Sequence, residues 1–233
     1  MTVSIFLTFK GPAGDAAALE AAFTAGPLHE LALEPGLRFI ETYRPATGEV
    51  PLFEEGAGPP LLVELNLDTA DEARRLIAST AFRDALSAGR PATGGGQATV
   101  DVFHSVPFPL PGHIKPPPRT APLSFVVRYC RPVADEQAFA AFYTLHHPPL
   151  LARFPGIRNV LCYLSTGIEL PGGLQPSGAF FGNEVVFDDL DSLNRALASE
   201  VLPLLKADGK RFAPFGHSSH HAMLRRSVHA RSE

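Results

Sequence analysis

The chain has 233 residues, of which 45% are hydrophobic and 19% are charged. This composition is typical of a soluble globular protein with one large domain or two small ones. No apolar run approaches the roughly 20 residues that a membrane-spanning helix needs. The net charge is -4 and no basic stripe is visible, which argues against nucleic-acid binding. Cys130 and Cys162 fit neither a disulfide framework nor a metal motif, so we expect a cytoplasmic protein.

The first half of the chain has the pattern of a βαββαβ unit. Asp15 stands where a helix N-cap is expected, and Asp71 is predicted to open a second helix. A long Gly/Pro-rich loop over residues 44–60 joins the second and third strands, and loops of this length are often lids or binding loops. Apolar, β-rich runs predict strands over residues 3–9, 38–44, 61–67 and 98–104.

A proline-rich segment over residues 106–122 is predicted to be a stiff, extended linker between residues 1–105 and 123–233. The second half then repeats the order of the first. Asp135 and Asp191 open its helices, and Pro148-Pro149 is expected to end the first of them, because the residue before a proline avoids the helical region. Strands are predicted over residues 123–129, 158–164, 181–187 and 218–224, with a loop over 165–180 that corresponds to the first.

One constant offset relates the two halves. Pro35-Gly36-Leu37-Arg38 matches Pro155-Gly156-Ile157-Arg158 at an offset of 120 residues. The same register, without a gap, pairs Ser4 with Ser124, Tyr43 with Tyr163, and Glu64 with Glu184. Coincidence between two unrelated units is the alternative to an internal duplication. A duplication predicts an α+β fold in which two tandem ferredoxin-like repeats close into an intramolecular, pseudo-dimeric α/β barrel, because each sheet has one face without helices to cover it.

The second half resembles a known family. Phe142-Tyr143, His147-x-Pro149-Leu150 and Phe154-Pro155-Gly156-Ile157-Arg158 resemble the EthD-like family of the dimeric α/β-barrel superfamily. That superfamily includes cofactor-independent monooxygenases, isomerases, polyketide-modifying lyases, haem enzymes and proteins with no known activity, and its pockets lie between the sheet and the helices. The resemblance therefore implies a small organic ligand without specifying a reaction.

His147 and Tyr143 are the candidate catalytic residues. They are four residues apart, so both fall on one side of the first helix of the second half. An imidazole titrates near neutrality and can act as a general acid or base. The alternative is a histidine that caps the last carbonyls of the helix. Pro27 stands at the equivalent position of the first half, which favours one specialised site in the second.

Arg128, Tyr163 and His221 are the candidate substrate-binding residues. Arg128 could hold an anion bidentately, although a solvated arginine at a strand end is the alternative. Tyr163 could donate a hydrogen bond or be a core aromatic. His217 and His221 would form a metal site on a helix, but the repeat places them on a strand, where four residues span about 13 Å. No metal site is therefore predicted, and His221 is chosen over His220 to face the barrel interior.

Glu64 and Glu184 recur in the middle of a predicted strand, where a carboxylate needs a partner. Both halves offer the same cations, Arg38 with Arg158 and Arg75 with Arg195. We interpret the glutamates as members of structural ion pairs with these arginines, and a catalytic acid is the alternative.

Two functions stay open at the level of sequence. One is an enzyme that transforms a small aromatic or polyketide-like compound without a cofactor, as a lyase, isomerase or oxygenase. The other is a non-catalytic binding or accessory protein of a catabolic pathway. A haem protein is a third hypothesis. Neither nucleic acid nor membrane is an expected partner, and a homodimer of the two-repeat chain is compatible with the fold.

Overall fold

The computed structural model describes residues 2–11, 16–51, 58–92 and 97–231, with the backbone alone for 89–92. Its strands are β1 Thr2–Phe9, β2 Leu37–Pro45, β3 Leu61–Leu67, β4 Ala98–Phe108, β5 Leu123–Val133, β6 Asn159–Ser165, β7 Ala179–Phe187 and β8 Phe215–Ala230. Its helices are α1 Ala16–Ala25, α2 Pro27–Leu31, α3 Ala70–Ala78, α4 Thr80–Ala92, α5 Glu136–Leu151, α6 Leu190–Leu197 and α7 Val201–Gly209. Among these residues no helix is both long and apolar enough to cross a membrane.

The eight strands form one closed barrel. Their order around it is β1-β3-β2-β8-β5-β7-β6-β4, and all neighbours are antiparallel. Each half supplies a four-stranded sheet, and β2 joins β8 while β4 joins β6 to close the barrel. The predicted α+β, pseudo-dimeric α/β barrel of two ferredoxin-like units is therefore confirmed. Closure leaves no strand of the barrel with an exposed edge, which protects the sheet from pairing with other chains.

Side chains alternate between two faces of each strand and build separate cores. On the outer face, Leu7, Val63 and Val100 of the first half pack under its helices, and Val127, Val185 and Phe187 of the second half do the same. On the inner face, a third cluster fills part of the barrel. It contains Phe6, Tyr43, Leu62, Phe103, Val126, Leu161, Tyr163 and Met223. The strands are thus buried on both faces, which explains their continuous apolar runs.

The helix that carries the motif histidine is longer than the sequence predicts. The expectation that Pro148-Pro149 ends it is wrong, because α5 continues through both prolines to Leu151. A proline removes only its own N–H from the ladder, and Ala152 N still donates to Pro148 O at 2.9 Å. One further turn is therefore possible, and it holds His147 inside the helix.

The N-cap residues of the helices agree only in part with those predicted from the sequence. The Asp135 side chain accepts from Ala138 N at 2.9 Å, which confirms it as the N-cap of α5. The caps of α3 and α6 are Thr69 and Asp189, two residues before the predicted Asp71 and Asp191, because these earlier side chains accept the free N–H groups of the first turn. Asp15 lies outside the described residues. Three helices were not predicted from the sequence. They are α2 and α4 in the first half and α7 in the second.

Candidate functional site

A buried histidine–aspartate pair joins two helices of the second half. His147 lies on α5 and Asp208 on α7, and His147 Nδ1 is 2.8 Å from Asp208 Oδ2. His147 is 8% exposed and Asp208 is 7% exposed, so water screens their interaction little. The imidazole bonds a carboxylate and not the last carbonyls of its helix. The contact expected of a capping histidine is therefore replaced by a tertiary contact.

Burial sets the protonation of His147. Desolvation lowers the pKa of His147 below its usual value, although the hydrogen bond and the charge of Asp208 oppose the shift. The imidazole is therefore neutral near pH 7. Because a carboxylate can only accept, Nδ1 carries the proton and Nε2 is the basic nitrogen. A carboxylate that fixes the tautomer and orientation of a histidine is the arrangement used in general-base catalysis.

His147 lines a cavity of about 210 Å³ between the outer face of the second sheet and the helices α5 and α7. The lining is mainly apolar and aromatic, and Asn183, Lys206 and His220 line it as well. Apolar pockets with a few placed polar groups are typical of small-molecule sites. The apolar lining includes Phe125, Val127, Tyr129, Leu151, Phe154, Val185, Leu205 and Phe212.

Tyr143 packs against the imidazole of His147. Its ring centroid is 4.6 Å from that of His147, and it also packs against Tyr129, Phe181 and Phe212. Tyr143 is fully buried and is not among the residues that line the cavity. Burial raises the pKa of its hydroxyl well above the usual value, so it stays protonated. The structure thus brings the two predicted catalytic residues together, with only His147 at the cavity.

The first half lacks both members of the pair. Pro27 and Ala88, which precede His147 and Asp208 by 120 residues, both line a cavity of about 330 Å³ in the first half. The cavity at Pro27 is lined by residues of α2 and α4, whereas the His147 cavity also has a wall of strand residues, so the two cavities are not equivalent. The sequence reading missed Asp208. The same register would have found it, because position 88 holds an alanine where position 208 holds an ionisable group.

The three predicted substrate-binding residues lie on the other face of the sheet, inside the barrel. Arg128 and His221 line an interior cavity of about 500 Å³. His220, the neighbour of His221 on β8, faces the helices and stacks with Phe125 at 6.1 Å between ring centroids. Tyr163 is fully buried and donates to Glu184 Oε2 at 2.7 Å. The predicted residues therefore belong to two separate places and not to one site.

The partner predicted for Glu64 and Glu184 is wrong. Both glutamates bind Arg119, which comes from the linker, at 2.8 Å for Glu64 and 3.1 Å for Glu184. Arg119 also donates to the hydroxyls of Tyr43 and Tyr163 at 3.2 and 3.1 Å. One guanidinium thus serves equivalent groups of both halves. The predicted arginines turn outward to other partners: Arg38 to Asp68, Arg158 to Asp188, Arg75 to Glu72 and Arg195 to Ser192.

A second ion pair makes this cluster asymmetric. Glu41 binds both Arg119 and Arg225, and Arg225 also donates to Arg119 O at 3.0 Å and Ala121 O at 2.6 Å. The cluster has three carboxylates and two guanidiniums, so one negative charge is in excess when all are ionised. Burial, together with Glu64 and Glu184, raises the pKa of Glu41 to about 7, although Arg119 and Arg225 oppose the shift. Every member is engaged, which indicates a structural role for the cluster.

Comparisons with known proteins identify the fold. No family model and no curated protein matches the sequence. An anthrone oxidase-like protein superimposes with a TM-score of 0.62 over 97% of this chain and 93% of its own, at 16% identity. A candidate monooxygenase from Lactobacillus acidophilus gives 0.56 over 96% and 93%, at 8% identity. A chlorite dismutase mutant from Candidatus Nitrospira defluvii gives 0.55 over 97% and 91%, at 13% identity.

These proteins and the present chain share the fold of a closed α/β barrel. At such low identities the likeness concerns the fold alone. The chemistry of this chain must therefore be argued from its own residues.

Proposed function

We propose that this protein transforms a small aromatic compound by proton transfer at His147, without a cofactor. The observation that carries the proposal is the imidazole of His147, which Asp208 holds at 2.8 Å on the wall of an apolar cavity. The same fold occurs in an anthrone oxidase-like protein and a candidate monooxygenase, which favours small-molecule chemistry.

The size of the cavity limits the substrate. A cavity of about 150 Å³ can hold benzene, and the His147 cavity measures about 210 Å³. Pockets for drug-sized ligands are larger, at roughly 300–1,000 Å³. The part of the substrate that the cavity encloses is therefore the size of a single ring with short substituents.

The arrangement supports general-base chemistry. Nε2 of His147 takes a proton from an acidic C–H or O–H of the bound substrate, and the imidazole becomes an imidazolium. Asp208 stabilises that charge through Nδ1–H, and the same proton can return to another atom of the substrate. Isomerisation and elimination both begin with such a step. Tyr143 packs on the imidazole and fixes its orientation, so we assign it a positioning role and not a catalytic one.

The cavity does not fit a haem. Nε2 of His147 is a chemically suitable axial ligand, and the carboxylate on Nδ1 is typical of metal-bound histidines. However, a macrocycle is larger than most drug-sized ligands, and the cavity of about 210 Å³ lies below their usual range. The proposal therefore includes no step through haem.

The test is proton exchange in D₂O with a panel of single-ring aromatic carbon acids, such as acetophenone and phenylacetone. We expect the parent protein to accelerate deuterium incorporation, measured by NMR, and the H147Q variant to lose the acceleration by at least about 100-fold. The H146Q variant is the matched control, because His146 lies one residue away and stacks on Phe142. Equal rates for H147Q and the parent would contradict the proposal.

A non-catalytic binding protein is the second candidate. The small number of polar groups on the cavity wall favours it, because among the described lining residues only Tyr129, His147, Asn183, Lys206 and His220 have side chains with polar atoms. In that case the parent protein would bind single-ring compounds with no acceleration of exchange. The same panel therefore separates the two functions, since binding and exchange are measured on one set of compounds.

A further inference from the structure

The barrel interior contains a cavity that is distinct from the His147 cavity. It measures about 500 Å³ and lies on the inner face of the sheet, at the end of the barrel where β1 and β5 end and β8 begins. Its size falls within the roughly 300–1,000 Å³ that is typical of small-molecule pockets. Leu62, Val126 and Met223 give it an apolar wall, and Arg128, Asp101 and His221 give it polar groups.

Arg128 brings a cation into this cavity. Its guanidinium carbon is 4.4 Å from the centroid of Phe6 and 5.0 Å from that of Tyr163. Nη1 donates to Val127 O at 3.2 Å, whereas the buried Nη2 has no hydrogen-bond partner among the described residues. Within that part of the chain no carboxylate lies at ion-pair distance from Arg128. An incompletely paired cation at a partly buried position is costly unless an anion joins it.

A glycine makes room for this side chain. Gly182 pairs with Arg128 across β5 and β7, and a Cβ at Gly182 would lie 2.7 Å from Arg128 Nη1. The equivalent pair of the first half is Thr8 with Leu62. The second half therefore has both a larger residue and the space for it, at positions where the first half has neither. This paired difference indicates a built position for the guanidinium.

Asp101 adds a polar group on the same wall. It is 7% exposed and accepts from Ser177 N at 3.1 Å. Burial raises the pKa of this carboxyl, although Ser177 and Arg128 oppose the shift. Lys10 and His217 also line the cavity, so its basic groups outnumber its one carboxylate among the described lining residues. The balance of charge favours an anionic ligand.

We infer that the barrel interior binds a small organic monocarboxylate with an apolar body, with Arg128 as the anion contact. The carboxylate pairs with the guanidinium of Arg128 where it lines the cavity, and the body packs against Leu62, Val126 and Met223. The face of the sheet that carries this site is opposite to the one that carries His147. The two sites are therefore independent, and this inference does not rest on the proposed enzyme activity.

The probe is benzoate, measured by titration calorimetry, with the neutral isostere benzamide beside it. We expect benzoate to bind the parent protein, benzamide to bind at least about tenfold more weakly, and the R128M variant to lose benzoate affinity by at least about tenfold. The R153M variant, which removes an exposed arginine, is the control for net charge. Failure of benzoate to bind the parent, or equal binding by R128M, would overturn the inference.

Two further measurements locate the probe. The H147Q variant should bind benzoate as the parent does, and loss of binding there would place benzoate in the other cavity and overturn the inference. A crystal soaked with 4-bromobenzoate should show the anomalous bromine signal inside the barrel, and a signal elsewhere would overturn it too. If R128M does not fold, G182A provides the second variant, because its Cβ displaces the guanidinium and should weaken benzoate binding.

Discussion

At the scale of single residues, two opposing effects determine the pKa of His147. Burial lowers the pKa and Asp208 raises it. The D208N variant should therefore lower the pKa of His147 further than in the parent protein, because the charge of the carboxylate is lost while the burial stays. A titration of the imidazole signals by NMR measures this change. An unchanged or higher pKa in D208N would mean that Asp208 does not hold the imidazole.

The lowered pKa of His147 also predicts that the stability of the folded protein depends on pH. The pKa of His147 is lower in the folded than in the unfolded protein, so the unfolded state binds the proton more tightly. The contribution of His147 to stability is therefore complete above a pH of about 6.5 and declines as the pH falls below that value. Urea unfolding of the parent and H147Q at pH 8 and pH 5 should show a smaller deficit of the variant at pH 5.

Glu41 should show the opposite trend. Its pKa is raised from 4.5 to about 7 in the folded protein, so the folded state holds this proton more tightly. The stability that comes from the protonated carboxyl is lost as the pH rises from 4.5 to about 7. The E41Q variant stays neutral, so it should gain on the parent protein across this window by an amount on the order of 2–3 kcal/mol. Urea unfolding at pH 4.5 and pH 8 measures the difference, and an equal gap at both values would contradict it.

At the scale of elements, the linker is part of the core through Arg119. Its side chain is 10% exposed and binds Glu64 and Glu184 together. The R119M variant leaves these buried carboxylates without their cation, so it should cost about 3–5 kcal/mol in unfolding free energy. Adding E64Q and E184Q should restore most of that stability, because the uncompensated charges are removed. K115M, at an exposed position of the same linker, should have little effect.

The elements themselves could be predicted, but their partners could not. Apolar, β-rich runs and the constant offset of 120 residues located all eight strands, because each strand buries both of its faces. The partner of Glu64 and Glu184 was missed, since the repeat suggests one cation for each glutamate. Arg119 lies outside both repeats, and only the closed barrel shows that it reaches both. The end of α5 was predicted wrongly because packing of the last helical turn overcomes the local preference against a helix before a proline.

At the scale of the whole molecule, equivalent positions have diverged in coordinated sets. The second half has His147 and Asp208 where the first half has Pro27 and Ala88. It has Arg128 and Gly182 where the first half has Thr8 and Leu62. Single comparisons at this offset found the candidate histidine and arginine from sequence. The same offset also marks the carboxylate and the glycine that complete each set, but only their contacts in space show which residue each of them serves.

The architecture also makes a prediction about the second half by itself. A fragment of residues 109–233 retains a sheet in the order β8-β5-β7-β6, with β8 and β6 as open edges. In the full chain these edges pair with β2 and β4, which are their counterparts at the offset of 120 residues. Two fragments can therefore pair β6 with β8 twice and close a barrel, and unpaired edges would otherwise invite aggregation.

We expect this fragment to elute at twice its own mass in size-exclusion chromatography with light scattering. Each of its two cavities would then contain a His147–Asp208 pair, and each Arg119 would have one Glu184. Adding residues 1–108 should compete with self-association, because β2 and β4 complete the same edges. A fragment that stays monomeric and folded would contradict the view that the two halves are equivalent partners in one barrel, since the exposed edges would then need no partner.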